Sequence, residues 1–441
     1  MYRIIDLSIS SRRICFIVLF IFILILHGCT LINKVDVKST SFPAYTAEKI
    51  EQNEFVIANG NDVIGQLAVI RLKKGDTLPD IARHFSLGIN EISLANPGVD
   101  VWVPETGTQI VLPLNFILPD APRKGIVINL ATMRLFQFKG DKKSLAVSTY
   151  PVGIGTIEKP TPMGQAFVER KVILPTWHVP ASIAEAHRKK GDLLPPMVPP
   201  GPENPLGEYA LYLSKSSYLI HGTNKPASIG LKATNGCIRL YPEDIKELYG
   251  KIPVNTPVSI INQPYLIGQL NGVVYLEVHA TAEEQNIAEL KRIFAKLQNI
   301  EKKTKRAIDW NKVDKTLAEA RGIPVPIQQI RQGSGKAGEI IEVMHPGKLY
   351  GCPEVPQLSL EAWYVLAAEL RDVADASRLA AIINHQGPPI PARILAKNDT
   401  YRVIAGPFNN IGAARNAAKR LKIDLEIDGI LIEPDHNKVV D

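Results

Sequence analysis

Cysteine is scarce. The chain has four in 441 residues, and Cys15 and Cys29 fall within or at the end of an N-terminal apolar run, so only Cys237 and Cys352 remain for the folded part. An exported protein could pair these two, but a thiol that serves as a nucleophile cannot be tied up in a disulfide, and both are expected to stay reduced. A dense block of positive charge is also missing. The net charge is +7, yet Lys and Arg are spread along the chain and no nucleic-acid motif accompanies them, which argues against specific DNA or RNA binding. A weakly basic surface that meets an anionic polymer or a membrane accounts for the balance. At 45% apolar and 22% charged residues, the chain can bury several cores, so several domains are expected.

Long apolar runs are absent as well, with one short exception. Arg3, Arg12 and Arg13 precede Ile14 to Leu26, followed by His27-Gly28-Cys29, the three-part form of an export signal. The run is shorter than the roughly 20 apolar residues of a membrane-crossing helix. Leu26-His27-Gly28-Cys29 resembles a lipoprotein lipobox, which implies lipidation at Cys29 and a membrane attachment through that lipid; an uncleaved signal anchor is the alternative. Thr30 follows where an inner-membrane retention signal would have Asp, so the outer membrane facing the periplasm is expected. Residues 1–28 read as the signal and 29–66 as a polar tether.

The pattern changes over 67–114. A short strand, AVIRLK, leads into Gly75-Asp76-Thr77-Leu78, where Asp76 or Thr77 can cap a helix that carries Leu78, Ile81, Ala82 and Phe85 on one face. A second short helix follows Asn90, and Thr108 to Leu112 is a returning strand. GDTL, IARHF, Ala95-Asn96 and IVLP resemble a LysM module, an α+β unit of the strand-helix-helix-strand order, which implies binding of glycan strands; a small structural unit that binds nothing is the other reading.

Residues 122–263 are mainly strand. IVINL, RLFQF, LAVSTYPV, ALYL, YLI and VSII are separated by Gly, Pro and Asn turns, which predicts a β-sandwich of mixed sheets. One helix is predicted from Pro242, with Glu243 and Asp244 at its positive end. Between the strands, Pro175 to Gly207 is a long Pro-rich excursion, expected to serve as a wall or lid, with a purely structural rigid segment as the other reading. Residues 264–321 form an extension with amphipathic helices, in which Ile287, Leu290, Ile293, Phe294 and Leu297 keep helical spacing. Residues 322–357 read as a linker. Over 358–436 the order βαββαβ returns, and TYRVIAGPF with the Ala-rich helix after it resembles a SPOR domain, which implies peptidoglycan binding.

The chemistry gathers between Tyr218 and Tyr249. His221 and Cys237 are each flanked by small residues, and Arg239 lies two positions beyond the Cys. An imidazole that takes the thiol proton makes Cys237 a strong nucleophile. Alone, each residue has a plainer reading, as packing or structure; the combination carries the argument. His178 and His187 are rival bases in a Pro-rich loop, Arg239 could pair with Glu243 or Asp244 instead of substrate, and Trp177 and Tyr209 are candidate cleft aromatics.

HGTN, SIG and TNGCIR, together with INLATMRLF, TPMG, NPLG and YLEVH, resemble the L,D-transpeptidase (YkuD) family and its subgroup with a LysM-like module. The resemblance implies that Cys237 attacks the meso-diaminopimelate carbonyl of a tetrapeptide stem and releases D-Ala, and that the acyl-enzyme then passes to an amine. It implies His221 as base, the Gly222 carbonyl as its orienting group, and the N–H groups of Gly236 and Cys237 as oxyanion donors. Arg239, Thr223, Asn235 and Trp177 become substrate contacts. One departure stands at Asn235, where many members have His. No metal or organic cofactor is implied. The expected partners are peptidoglycan stem peptides and glycan strands, an envelope lipoprotein as one acceptor, and carbapenem-type inhibitors, with no nucleic acid. A 3-3 cross-link, lipoprotein attachment and hydrolysis by an L,D-carboxypeptidase all remain open. So does a non-catalytic peptidoglycan-binding lipoprotein that tethers outer membrane to wall.

Overall fold

A computed structural model describes residues 53–140, 144–279, 286–328 and 340–434, all within one compact unit. The expected signal, the lipidation position Cys29 and most of the expected tether lie outside the described residues. Among the described residues no helix is long and apolar enough to cross a membrane.

The centre is a nine-stranded mixed sheet in the order Glu54–Ile57, Leu145–Pro151, Arg134–Gly140, Gly125–Asn129, Pro257–Ile261, Gly164–Ile173, Tyr209–Leu213, Leu219–His221, Ile238–Arg239. Gly164–Ile173 is the strand that joins its two halves. Its first residues pair with Pro257–Ile261 and its later ones with Tyr209–Leu213, with a register shift between Val168 and Arg170. Such a shift bends a strand and raises its local twist. Both halves therefore contribute to one core, in which Ile126, Ile128 and Leu135 meet Leu211, Ile220 and Ile238 around Ile245 and Leu248 of the helix Pro242–Lys251. The sandwich expected from sequence is thus realised as one continuous sheet bent on itself.

The other face of the first half is covered by the unit at 67–114. Its strands Ala68–Arg71 and Gln109–Leu112 pair antiparallel, and its helices are Leu78–His84 and Ile89–Ala95. Thr77 caps the first helix by accepting from the Asp80 amide. Leu78, Ile81, Ile92 and Ile110 share a core with Val127, Phe136 and Val147 of the large sheet. At that seam Arg134 and Glu91 form a buried pair at 2.6 and 2.8 Å. The unit is therefore built into the central domain and is no bead on a string.

Two boundaries change. Within the expected 29–66 tether, Glu54–Ile57 is an edge strand paired with Leu145–Ser148, and Val63–Gly65 pairs with Asn115–Ile117. Phe55 is buried while Val56 is 80% exposed, the period of two that a strand imposes, but four residues are too few to show it against a polar background. The expected 322–357 linker is docked along much of its described length. Val325–Pro326 closes a sheet with Tyr265–Leu270 and Val273–Val278. Ile341–Val343 pairs in parallel with Ala68–Ile70, and His345 Nε2 lies 2.8 Å from Asp76. These pairings are fixed by partners far away in the chain, from Tyr275 for Pro326 to Ala68 for Ile341, which local composition does not reveal.

The extension carries two helices, Asn286–Thr304 and Trp310–Glu319, with Ile293, Leu297 and Val313 in its core and Ile287 exposed. The last unit has the expected βαββαβ order, Trp363–Leu370, Val373–Asn384, Ala392–Lys397, Thr400–Phe408, Ile411–Leu425, Ile430–Ile432, in one antiparallel sheet with both helices on one core.

Candidate active site

His221 ends a three-residue strand that runs parallel to Ile238–Arg239, with His221 opposite Arg239. Cys237 is the residue just before that partner strand, so the parallel ladder brings both functional side chains to one sheet edge. The turn ahead of the Cys is held by Thr234, whose hydroxyl donates to the Cys237 carbonyl at 2.6 Å and accepts from the Gly236 amide at 3.1 Å. Gly236 has φ +105°, and a Cβ there would stand 2.7 Å from the Tyr218 ring, so only glycine fits the turn.

His221 is buried, and its Nδ1–H donates to the Gly222 carbonyl at 2.6 Å. In the neutral ring this leaves Nε2 as the basic nitrogen. Burial, helped by the nearby Arg239 cation, pushes the imidazole down to about 3, against the pull of the Gly222 and Leu206 carbonyls. The Cys237 thiol donates to the Ser217 carbonyl at 3.7 Å. Burial raises it above the usual thiol range, while the Leu219 amide and Arg239 oppose the shift. The resting pair is therefore a neutral thiol and a neutral imidazole, and proton transfer has to accompany attack. Alkylation of Cys237 by iodoacetamide, followed by mass in a Cys352→Ser background, is expected to rise continuously with pH and still be climbing above pH 9; a plateau on the acid side would show a preformed thiolate-imidazolium pair instead.

Arg239 makes no ion pair among the described residues. Its Nη1 lies 3.4 Å from Ser228 Oγ, and its buried Nε has no partner. The expected competitor Glu243 is taken by Arg83 at 2.9 and 3.0 Å. A buried guanidinium with an idle donor is suited to a carboxylate, which it grips in two-pronged fashion.

His221, Cys237, Arg239, Asn235 and Trp177 line one cavity of about 1080 Å³. The rival bases His178 and His187 line it too, but His187 Nδ1 is engaged by Asp192 at 2.9 Å. Three expectations need correction. Thr223 is buried outside the cavity lining, its hydroxyl spent on the Lys225 amide at 2.9 Å. Tyr209 packs on Tyr249, with ring centroids 5.1 Å apart, and is likewise absent from the lining. The Gly236 amide already serves Thr234, which leaves the Cys237 amide as the remaining candidate of the two oxyanion donors. The excursion at 175–207 is more ordered than a loop. It holds the ribbon Trp177–His178 with Met197–Val198 and the helix Ala181–Lys189, and it forms one wall. Both Cys237 and Cys352 are free thiols. Among the described residues no cluster of His, Cys, Asp and Glu suits a metal ion.

The residues missed from sequence are Ser217, whose carbonyl holds the thiol, and a group from the last domain, Gly387, Pro388, Lys419, Arg420 and Asp424, which closes the cavity. Ser217 sits in the turn just ahead of Leu219–His221 and acts through a backbone carbonyl that no side chain marks, while the group from the last domain meets the site only through tertiary docking.

A thiol, an imidazole with one nitrogen anchored and the other basic, and an unpaired guanidinium around a peptide-sized cavity are the parts of an acyl-transfer site. Comparison with known proteins agrees. Residues 123–260 match the L,D-transpeptidase catalytic domain and residues 359–433 the SPOR domain. The probable L,D-transpeptidase YbiS of Escherichia coli (strain K12) is 42% identical over 234 residues, 52% of this chain and 76% of that protein. The probable L,D-transpeptidase ErfK/SrfK of Salmonella typhimurium is 37% identical over 291 residues, 62% of this chain and 90% of that protein. The chain belongs to the L,D-transpeptidase family.

Proposed function

We propose that this enzyme forms a thioester between Cys237 and the meso-diaminopimelate carbonyl of a tetrapeptide stem of peptidoglycan and passes the acyl group to an amine. One observation carries the assignment of roles: His221 is fixed through Nδ1 to the Gly222 carbonyl, beside Cys237 and in the same cavity. In the first half-reaction the sulfur attacks the carbonyl carbon as the thiol proton moves to His221 Nε2. The tetrahedral oxyanion is met by the Cys237 amide, a donor worth about 3 kcal/mol when well placed. Collapse breaks the peptide bond, and D-Ala leaves with the proton returned by His221. In the second, the acceptor amine attacks the thioester and gives its proton to His221, and the thiol is re-formed as the new amide is released. Arg239 holds a carboxylate of the stem.

The acceptor is a diaminopimelate side chain, which gives a 3-3 cross-link, or a Lys of an envelope lipoprotein; water would make the enzyme a carboxypeptidase. The unit at 67–114 has the strand-helix-helix-strand order of a LysM module, and with the SPOR domain it supports a role in holding peptidoglycan. The envelope setting follows from this substrate, and lipidation at Cys29 with outer-membrane attachment is the reading of the N-terminal sequence. The test is incubation of the full chain with a tetrapeptide muropeptide or a carbapenem, followed by intact mass. A covalent adduct that maps to Cys237 is expected. A wild type that stays unmodified would return the protein to the non-catalytic tether reading.

A further inference from the structure

The helix Ile411–Leu425 of the SPOR domain carries two stripes. Ala414, Ala417 and Leu421 are buried in the domain's own core. Asn416, Lys419, Arg420, Ile423 and Asp424 recur at the spacing that puts side chains on one face of a helix, and all five line the cavity that holds Cys237 and His221. An independent binding domain would give that second stripe to solvent. Here it is a wall of the catalytic cleft.

Three fastenings hold it there. Lys225, in the loop after His221, reaches Asp424 at 3.3 Å. Lys419 reaches Asp192 of the excursion at 2.8 Å. The backbone at Gly387 lies so close to Asn224 that a Cβ would fall 1.7 Å from the Asn224 carbonyl oxygen. The helix thus bridges the turn that carries His221 and the Pro-rich excursion. Its ion pairs also sort the charges, since Asp424 and Asp192 are met by Lys225 and Lys419. Arg420 makes no ion pair among the described residues. It donates to the Pro388 carbonyl, itself in the cavity wall, and feels Glu203 and Asp424 only at a distance. Among the described residues the cleft consequently has three guanidiniums without ion-pair partners: Arg170, which lies over the Tyr212 ring, and Arg239 from the catalytic sheet, and Arg420 from the SPOR helix.

We propose that the SPOR domain is part of the transpeptidase's substrate site, with Arg420 binding a carboxylate of the anionic stem peptide whose scissile carbonyl is presented to Cys237. This rests on the reading of the cleft as a stem-peptide site. It makes the domain a determinant of donor affinity in addition to any contact with glycan strands. A peptide that carries several carboxylates needs more than one cation, and Arg420 is the one that comes from a different domain than Arg170 and Arg239.

The experiment uses the full chain with Cys237→Ala, so that binding is read without turnover, and calorimetry with a disaccharide tetrapeptide and with the same ligand amidated at its free carboxylates. Adding Arg420→Ala is expected to raise Kd for the free acid about 10-fold, the loss of one charge-assisted contact, and to leave the amidated ligand unchanged. Arg420→Lys is expected to recover part of the loss. Gly387→Val, which forces the domain off Asn224, should weaken the free acid at least as much. Equal Kd values for Arg420→Ala and its parent would overturn the proposal, as would tighter binding on Gly387→Val, which would make the domain an occluding cover. Carbapenem acylation of the wild type tests the reaction separately, so loss of the chemistry and loss of the wall give different results.

Discussion

Cys237→Ala is expected to lose turnover of a tetrapeptide donor by about 10⁴-fold or more, the scale on which removing a nucleophile stops a covalent mechanism. The substitution removes one sulfur from a half-buried position and leaves the Thr234 hydrogen bonds, which involve a hydroxyl and backbone groups, in place. Thermal stability should therefore be nearly unchanged, which separates loss of chemistry from loss of fold. His221→Ala is expected to be comparably inactive, and the double variant little worse than either single one, because thiol and base act as one unit. Liquid-chromatographic assay of muropeptide products, with intact mass for the acyl-enzyme, measures all three. Residual transfer in Cys237→Ala would move the nucleophile elsewhere. Cys352 is an unsuited substitute, since burial, with Asp80 and Asp76 beside it, pushes its thiol up to about 11.

The second large effect is on stability. Arg134 is 1% exposed and Glu91 7%, and the pair is fully engaged. The guanidinium grips both carboxylate oxygens, donates to the Ser86 carbonyl at 3.0 Å and lies 4.0 Å over the Phe116 ring, while Glu91 also accepts from the Gly88 amide at 2.6 Å. Deleting one partner leaves a buried charge without its counter-ion, which typically costs about 3–5 kcal/mol, a large fraction of the roughly 5–15 kcal/mol that holds a domain folded. Arg134→Ala and Glu91→Ala are each expected to lose that much in urea unfolding. Arg134→Met combined with Glu91→Leu should lose distinctly less than the sum of the two alanine variants, because the orphaned charge is gone. Simple additivity would show that the two side chains act independently.

How much of this could be read from the residues alone varies with the range of the interactions. The HGTN and TNGCIR stretches announce themselves because nucleophile chemistry demands particular side chains beside small ones. The helix at Pro242 and the βαββαβ unit are visible because their apolar spacing is local. The Gly222 carbonyl as the orienting group of His221 is implied by the family resemblance, and Nδ1 lies 2.6 Å from it; the engagement of the Gly236 amide by Thr234 needed the fold. Thr223 and Tyr209 look like cleft residues by proximity, yet the turn consumes the first and the core the second. The short strands at Glu54–Ile57 and Ile341–Val343 and the SPOR wall escaped because each is defined by a distant partner.

The parallel pairing of Ile341–Val343 with Ala68–Ile70 has a consequence for how the chain is made. The small unit near the N-terminus gains its third strand only after some 270 further residues have been synthesised, so a growing chain carries an unpaired strand edge for most of its production. Exposed edges invite pairing with other chains, and contacts of such long sequence separation form late. The stretch after residue 340 therefore behaves as a clasp fastened late, and a fragment cut for study just before it would leave that edge open.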